Sequence, residues 1–212
     1  MSMQLFTIGH STHSCTRFIE IVKGVGVTTI VDVRSSPFSR HFPHFNRDAL
    51  QWQLREQGIH YLFLGRELGA RRDERECYVG RQARYDRIEQ LPRFRAGIQR
   101  LLVGCKTQIV ALMCAEKDPI TCHRMVLVSR AARQPGLNVR HLREDGSIES
   151  NTSAETRLLE VCKLPTEDLF QTRESLIERA YDQQGLRIAW QQPLAVEFGA
   201  RDVFRDSEES NS

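Results

Sequence analysis

The chain has 212 residues, of which 40% are apolar and 27% charged, and its formal net charge is +3. That length suits one well-filled core, and the composition is that of a soluble globular protein rather than a disordered or fibrous one. Its longest apolar stretches, such as Gln108 to Cys114, are far too short to span a bilayer, so no membrane partner is expected, and so small a net charge excludes a general nucleic-acid coat.

Gln4 to Ile8 reads as a short β-rich run that breaks at Gly9. Thr16 to Gly24 has helical spacing, with Phe18, Ile19 and Val22 on one face, and Gly24 to Gly26 stops it. Thr28 to Val33 is almost continuously apolar, the pattern of a strand covered on both faces. A polar loop with prolines follows, and Asn46 is placed to cap a helix running through Gln57. Ile59 to Leu64 reads as the third strand, and Gly65 to Gly80 as a long charged loop. Gln82 to Leu102 has the spacing of one amphipathic helix, kinked or divided at Pro92. Thr107 to Met113 is the fourth strand, Pro119 to Arg133 the next helix, and Asn138 to Leu142 the fifth strand.

Strands alternating with helices predict an α/β fold: three layers, α/β/α, around a mostly parallel sheet of about five strands. Ser153 to Lys163 and Pro165 to Asp182 then look helical and would form a C-terminal cap. The expected organisation is an α/β core domain over 1–146, a helical extension packed on it over 147–200, and a disordered tail over 201–212. The amino-terminal residues carry no basic region followed by an apolar core, and six cysteines without an export signal read as thiols in a reducing compartment. The cytoplasm is the expected location.

In open parallel sheets, ligands bind outside the carboxyl ends of the strands. At those ends this chain places Gly9-His10-Ser11, Asp32-Val33-Arg34-Ser35-Ser36, Gly65-Arg66-Glu67 and Cys114-Ala115-Glu116, whereas the loops at the opposite ends are bland. Reactive side chains from separate segments should therefore share one rim. After the fourth strand, Asp118 can cap a helix and Pro119 suits its first turn. Cys122 would follow about one turn in, where the helix dipole and Arg124 favour a thiolate.

Three readings of this rim follow. In the first, an enzyme acts on a phosphate-bearing or other anionic, nucleotide-like substrate. Cys114 or Cys122 is the nucleophile, and His10, His123, Asp32 and Glu116 are candidate acid, base or orienting groups. Arg34, Arg40 and Arg124, with Ser11, Ser36 and Ser39, would hold the anion; all but four of the 30 basic residues are arginine, the side chain best shaped for phosphate and carboxylate. In the second, the same cleft binds nucleic acid or another anionic partner without catalysis, with Phe38, Phe42 and Phe45 as base-stacking or, preferably, loop-anchoring groups. In the third, Cys114, Cys122 and His123 ligate a metal with His10 as the fourth ligand.

The spacing C-x7-C-H is not a compact zinc pairing, and adjacent residues of a regular helix point about 100° apart, so no metal ligand and no cofactor are assigned. A cysteine-phosphatase loop would need an arginine where Ile120 stands. The Gly-Cys-Lys-Thr run at 104–107 precedes a strand and lacks the pattern of a phosphate loop. Arg71 to Glu76 alternates in charge and reads as an exposed loop or lid.

Thr7 to Ser11 (TIGHS), Val31 to Arg40 (VDVR-x2-P-x-SR), Gly58 to Tyr61, Leu68-Gly69 and above all Met113 to Arg124 (MCAE-x5-CHR) together resemble the bacterial and archaeal family known as domain of unknown function 488. The similarity extends from about residue 4 to about residue 190, with Ala70 standing where many members have a second glycine. It implies an α/β architecture whose marked positions are those of the rim, and it implies no particular reaction.

Overall fold

The computed structural model describes residues 3–193. The apolar runs form β1 (Met3–Gly9), β2 (Thr29–Asp32) and β3 (His60–Phe63). A small hairpin, β4 (Tyr78–Val79) and β5 (Gln82–Ala83), stands apart from the main sheet. β6 (Val110–Cys114), β7 (Leu137–Leu142) and β8 (Ile148–Ser150) complete it. The order is β3-β2-β6-β1-β7-β8, with parallel pairing throughout except for β8, which runs antiparallel to β7 at the edge. The five expected strands are all present, and β8 is a sixth.

The sheet is covered on both faces. On one side α1 (Cys15–Gly24) and α2 (Arg47–Glu56) bury Phe18, Val22, Leu50 and Leu54 against Phe6, Ile8, Ile30 and Met113. On the other, α5 (Pro92–Gly104), reached through the short α3 (Gly65–Leu68) and α4 (Tyr85–Ile88), packs with a π-helical segment, Arg124–Ser129, over Leu5, Val31, Leu112 and Cys114. The same apolar layer takes in Leu158 of α6 (Asn151–Val161) and Tyr181 of α7 (Arg173–Ile188). The alternation along β1 explains the split: Leu5 faces one layer, Phe6 and Ile8 the other.

Local departures from the expected elements have identifiable causes. Gln82 to Leu102 is not one helix: β5 and α4 occupy its first part, and Pro92 stands in the first turn of α5, where its missing N–H costs nothing. The second C-terminal helix begins at Arg173 rather than Pro165. Asp168 Oδ1 accepts from the amides of Phe170 and Gln171, a turn that competes with helix, and Thr172 then caps α7 through Ser175 N. The expected loop Arg71 to Glu76 is not wholly solvent-exposed, because Arg72 is buried and donates to the carbonyls of Arg66, Glu67 and Gly69. No helix among the described residues is long and apolar enough to cross a membrane. The tail over 201–212 lies outside the described residues.

Candidate functional site

Strand order reverses between β1 and β6: from β1 the chain goes on to β2 on one side, and from β6 to β7 on the other. Such a switch point opens a crevice at the carboxyl ends. Here the ladder continues past both strands, His10 N donating to Cys114 O at 2.8 Å and Ser11 N to Ala115 O at 3.0 Å. A Cβ on Gly9 would lie 1.9 Å from the carbonyl oxygen of Glu116, so only glycine lets β1 end beneath the loop that carries Glu116. Ser11 pays for the same closeness with φ 46°, in the left-handed region.

Beyond Cys114 the chain does not form the expected helix from Pro119. Asp118 caps Ile120 N as foreseen, but only a single 3-10 turn follows, Pro119–Thr121. Cys122 is extended (φ −131°, ψ 140°), and the helix starts only at His123. The objection that Cys122 and His123 diverge on a regular helix therefore falls away. The break turns the Cys122 sulfur back toward β6.

Four groups meet there. Cys114 Sγ and Cys122 Sγ donate to the same Glu116 oxygen, Oε2, at 2.8 and 3.0 Å. His123 Nδ1 lies 3.6 Å from Cys114 Sγ and 4.0 Å from Cys122 Sγ, while Nε2 donates to Val33 O at 2.9 Å. The ligand atoms of all four residues fall within 4.8 Å of one another, and among the described residues no other group of His, Cys, Asp or Glu donors gathers in this way. Burial raises the Cys114 thiol well above the usual range, and Cys122 and Glu116 push it further. Burial would raise Cys122 too, but the bond from Cys114, the charge of Arg124 and His123 outweigh it and hold Cys122 well below that range. Burial, then Cys122, raises the Glu116 carboxyl. His123 is raised as well, its bond to Cys122 overcoming burial.

Above this cluster lies a cavity of about 570 Å³. Cys114, Glu116 and His123 form part of its lining, with His10, Arg34 and hydroxyls from Ser11, Ser36 and Ser39. Phe38, Phe42, Tyr85 and Trp190 add aromatic surface. His10 stacks on Phe45 at 4.5 Å and donates Nδ1–H to Ser11 O. Burial and then Arg34 lower its pKa to about 4, so its ring is neutral at pH 7.

The family model for Domain of unknown function DUF488 matches residues 14–131, more than half of the chain. The chain belongs to the DUF488 family. The match is narrower than the expected span of 4–190: it takes in Asp32, Arg34 and the whole of Met113 to Arg124, and leaves out His10, Ser11 and the C-terminal helices. No curated protein and no solved structure matches the chain.

Of the rim residues expected in this DUF488 protein, His10, Ser11, Arg34, Ser36, Ser39, Cys114, Glu116 and His123 line one cavity. Four expected residues do not. Asp32 is wholly buried beneath it, saturated by Arg34 (3.0 Å from N and from Nε to Oδ1, 2.7 Å from Nη2 to Oδ2) and by Tyr61 Oη at 2.7 Å. Cys122 lies behind Cys114. Arg124 has no exposed surface and donates to Glu116 O, Lys117 O and Thr7 Oγ1, so it braces the loop from below. Arg40 is exposed outside the lining. Arg34 is only partly available, since Nε and Nη2 serve Asp32 and Phe45 O, and Nη1 alone makes no hydrogen bond among the described residues. His10 is not the fourth member of the donor cluster; Glu116 is.

The sequence reading missed Trp190. Its carbonyl accepts from Ala83 N at 2.8 Å, beside an isolated bridge between Gln82 and Gln191, and Arg71 lies over its ring at 3.8 Å. Pairing between segments a hundred positions apart leaves no local signal. The aromatic side chain itself was the one available hint.

Proposed function

We propose that this protein is an enzyme of the cytoplasm that binds a small anionic substrate carrying an aromatic ring, of the nucleotide class, in the cavity at the strand ends, and that its chemistry is centred on the Cys114–Glu116–His123 face of the buried cluster. The observation that carries the reading is the meeting, in one cavity, of Cys114 from the end of β6, His123 from the next helix and Arg34 from the end of β2. Arg34 Nη1 and the hydroxyls of Ser11, Ser36 and Ser39 suit the anion, and Trp190, Tyr85, Phe38 and Phe42 suit a ring. All six cysteines are free and buried, in keeping with a reducing compartment.

Fluorescence tests the reading. Trp52 is the other tryptophan and lines a separate groove, so a Trp52→Phe background isolates Trp190. Nucleoside mono- and diphosphates should quench Trp190 saturably and raise the melting temperature, with inorganic phosphate and short oligonucleotides as comparison ligands. If none of the nucleotides does either, the substrate class is wrong. Conversion of a bound nucleotide that Cys114→Ser abolishes without abolishing binding supports the enzyme; binding without conversion of any ligand leaves an anion-binding module instead.

A further inference from the structure

We infer that Cys114, Glu116, Cys122 and His123 form a zinc-binding site, with three buried ligands and Glu116 in the position that opens to the cavity. The inference goes beyond the enzymatic reading and does not need it.

Donor chemistry comes first. Two thiols, an imidazole and a carboxylate are the ligands zinc takes, at about 2.3 Å from sulfur and about 2.0–2.2 Å from nitrogen and oxygen. Tetrahedral placement at those lengths separates neighbouring donors by roughly 3.5–3.8 Å. Of the two sulfur–nitrogen separations, 3.6 Å to Cys114 already lies in that range and 4.0 Å to Cys122 exceeds it by a few tenths of an ångström. The sulfur–oxygen separations, 2.8 and 3.0 Å, are those of S–H···O bonds and need to open by only a fraction of an ångström. On binding, whatever thiol protons the cluster holds leave to solvent and the ion takes their place.

The surroundings are those of a ligand set. The ring of His123 is fixed from behind by the bond from Nε2 to Val33 O, which aims Nδ1 at the sulfurs; ligating histidines are commonly oriented through their other nitrogen in this way. The amide of Arg124 donates to Cys122 Sγ at 3.4 Å. Two thiolates and a carboxylate carry one negative charge more than a divalent ion neutralises. The fully buried guanidinium of Arg124, locked onto the carbonyls of Glu116 and Lys117, supplies the missing positive charge. Without an ion, four titratable groups crowd one small space for no packing gain, since the remaining cysteines, 15, 77, 105 and 162, sit singly in the core as simple apolar filler.

Cys114, Cys122 and His123 are buried, whereas Glu116 reaches in from an exposed loop position. An exposed fourth ligand beside a cavity is the one a substrate oxygen or water can displace, the arrangement of a catalytic rather than a closed structural zinc.

The test uses the full chain, reduced and purified without chelator. Elemental analysis should find zinc close to one per chain, and replacement by cobalt should give the visible absorption of a tetrahedral thiolate-bound ion. Cys114→Ser/Cys122→Ser should lose both signals and Cys105→Ser should keep them. Because changes at the buried cysteines can also disturb folding, Glu116→Gln, on an exposed residue, serves as the second variant; it should retain the cobalt bands in altered form and weaken zinc affinity by at least the roughly 10–100-fold that losing an outer-shell partner costs. Wild-type protein without bound zinc or cobalt bands overturns the site, as do bands that survive the double cysteine variant or zinc affinity unchanged by Glu116→Gln. Protein that holds no metal but still binds nucleotide at Trp190 removes this inference alone; protein that holds zinc but binds no nucleotide removes the proposed substrate alone.

Discussion

Nε2 of His123 lies 2.9 Å from the carbonyl oxygen of Val33. A carbonyl can only accept, so Nε2 carries the proton, and the end of β2 thereby orients a ring that belongs to the segment after β6. His123→Leu strands that buried oxygen and should cost about 1–3 kcal/mol in urea unfolding, whereas His123→Gln, whose amide can still donate, should cost less. Equal losses would show that the bond to Val33 does not matter.

Gly9→Ala should be among the most damaging small substitutions in the chain. The added methyl meets the Glu116 carbonyl, part of a main chain with no flexible end to move aside. A loss of at least about 1–3 kcal/mol is expected, the range for overpacking a tight site, together with weaker binding of any ligand that contacts Glu116. Unfolding midpoints and Trp190 fluorescence measure the two effects separately.

The Asp32–Arg34 pair joins the lining of the cavity, at Arg34, to the core beneath it, where Asp32 is fully buried. Arg34→Ala leaves that carboxylate without its main partner and should destabilise the protein by about 3–5 kcal/mol, while Asp32→Asn/Arg34→Met, which removes both charges, should cost clearly less. A single variant no worse than the double would mean the pair is well solvated.

Trp190 and Arg71 should matter for ligands more than for folding. Loss of a stacking surface costs about 1–3 kcal/mol per base, so Trp190→Ala should weaken nucleotide binding by roughly 5–150-fold. Arg71→Ala removes a contact with an exposed guanidinium and should change stability by no more than about 1 kcal/mol. Calorimetric titration and thermal melts separate these outcomes.

His141 makes stability depend on pH. It accepts from the Thr7 hydroxyl at 2.8 Å and donates to Asn151 Oδ1 at 3.2 Å, a neutral ring satisfied on both sides. Burial, then the Arg124 charge, lowers its pKa from 6.5 to about 4. Between those values the unfolded chain binds the extra proton, so this contribution is complete above pH 6.5 and shrinks as pH falls toward 4. About 2 kcal/mol should disappear between pH 7 and pH 5. In His141→Gln the unfolding midpoint should vary less over that interval; an unchanged slope removes the assignment.

The parts of the fold that were legible are those written in local pattern. Short β-rich runs between helical segments marked the five parallel strands, Thr28 to Val33 most plainly, and the polar residues just after Ile8, Val31 and Met113 marked the rim. β8 escaped because three residues, Ile148 to Ser150, take their conformation from the edge of β7 rather than from their own pattern. The break at Cys122 escaped because helical propensity takes no account of a sulfur held by Glu116. Arg34 and Arg124 look alike in sequence to any anion-binding arginine; only the fold shows that one is partly engaged by Asp32 and the other by two main-chain carbonyls and the Thr7 hydroxyl. Trp190 reached the cavity through main-chain pairing with residues 82 and 83, which no window along the chain contains.

That pairing has a practical outcome for anyone shortening this polypeptide. Trimming at the carboxyl side, ahead of residue 188, would spare every strand and every thiol, yet it would remove one wall of the chamber above them. Such a truncation should weaken ligand binding in that chamber more than it weakens the sheet.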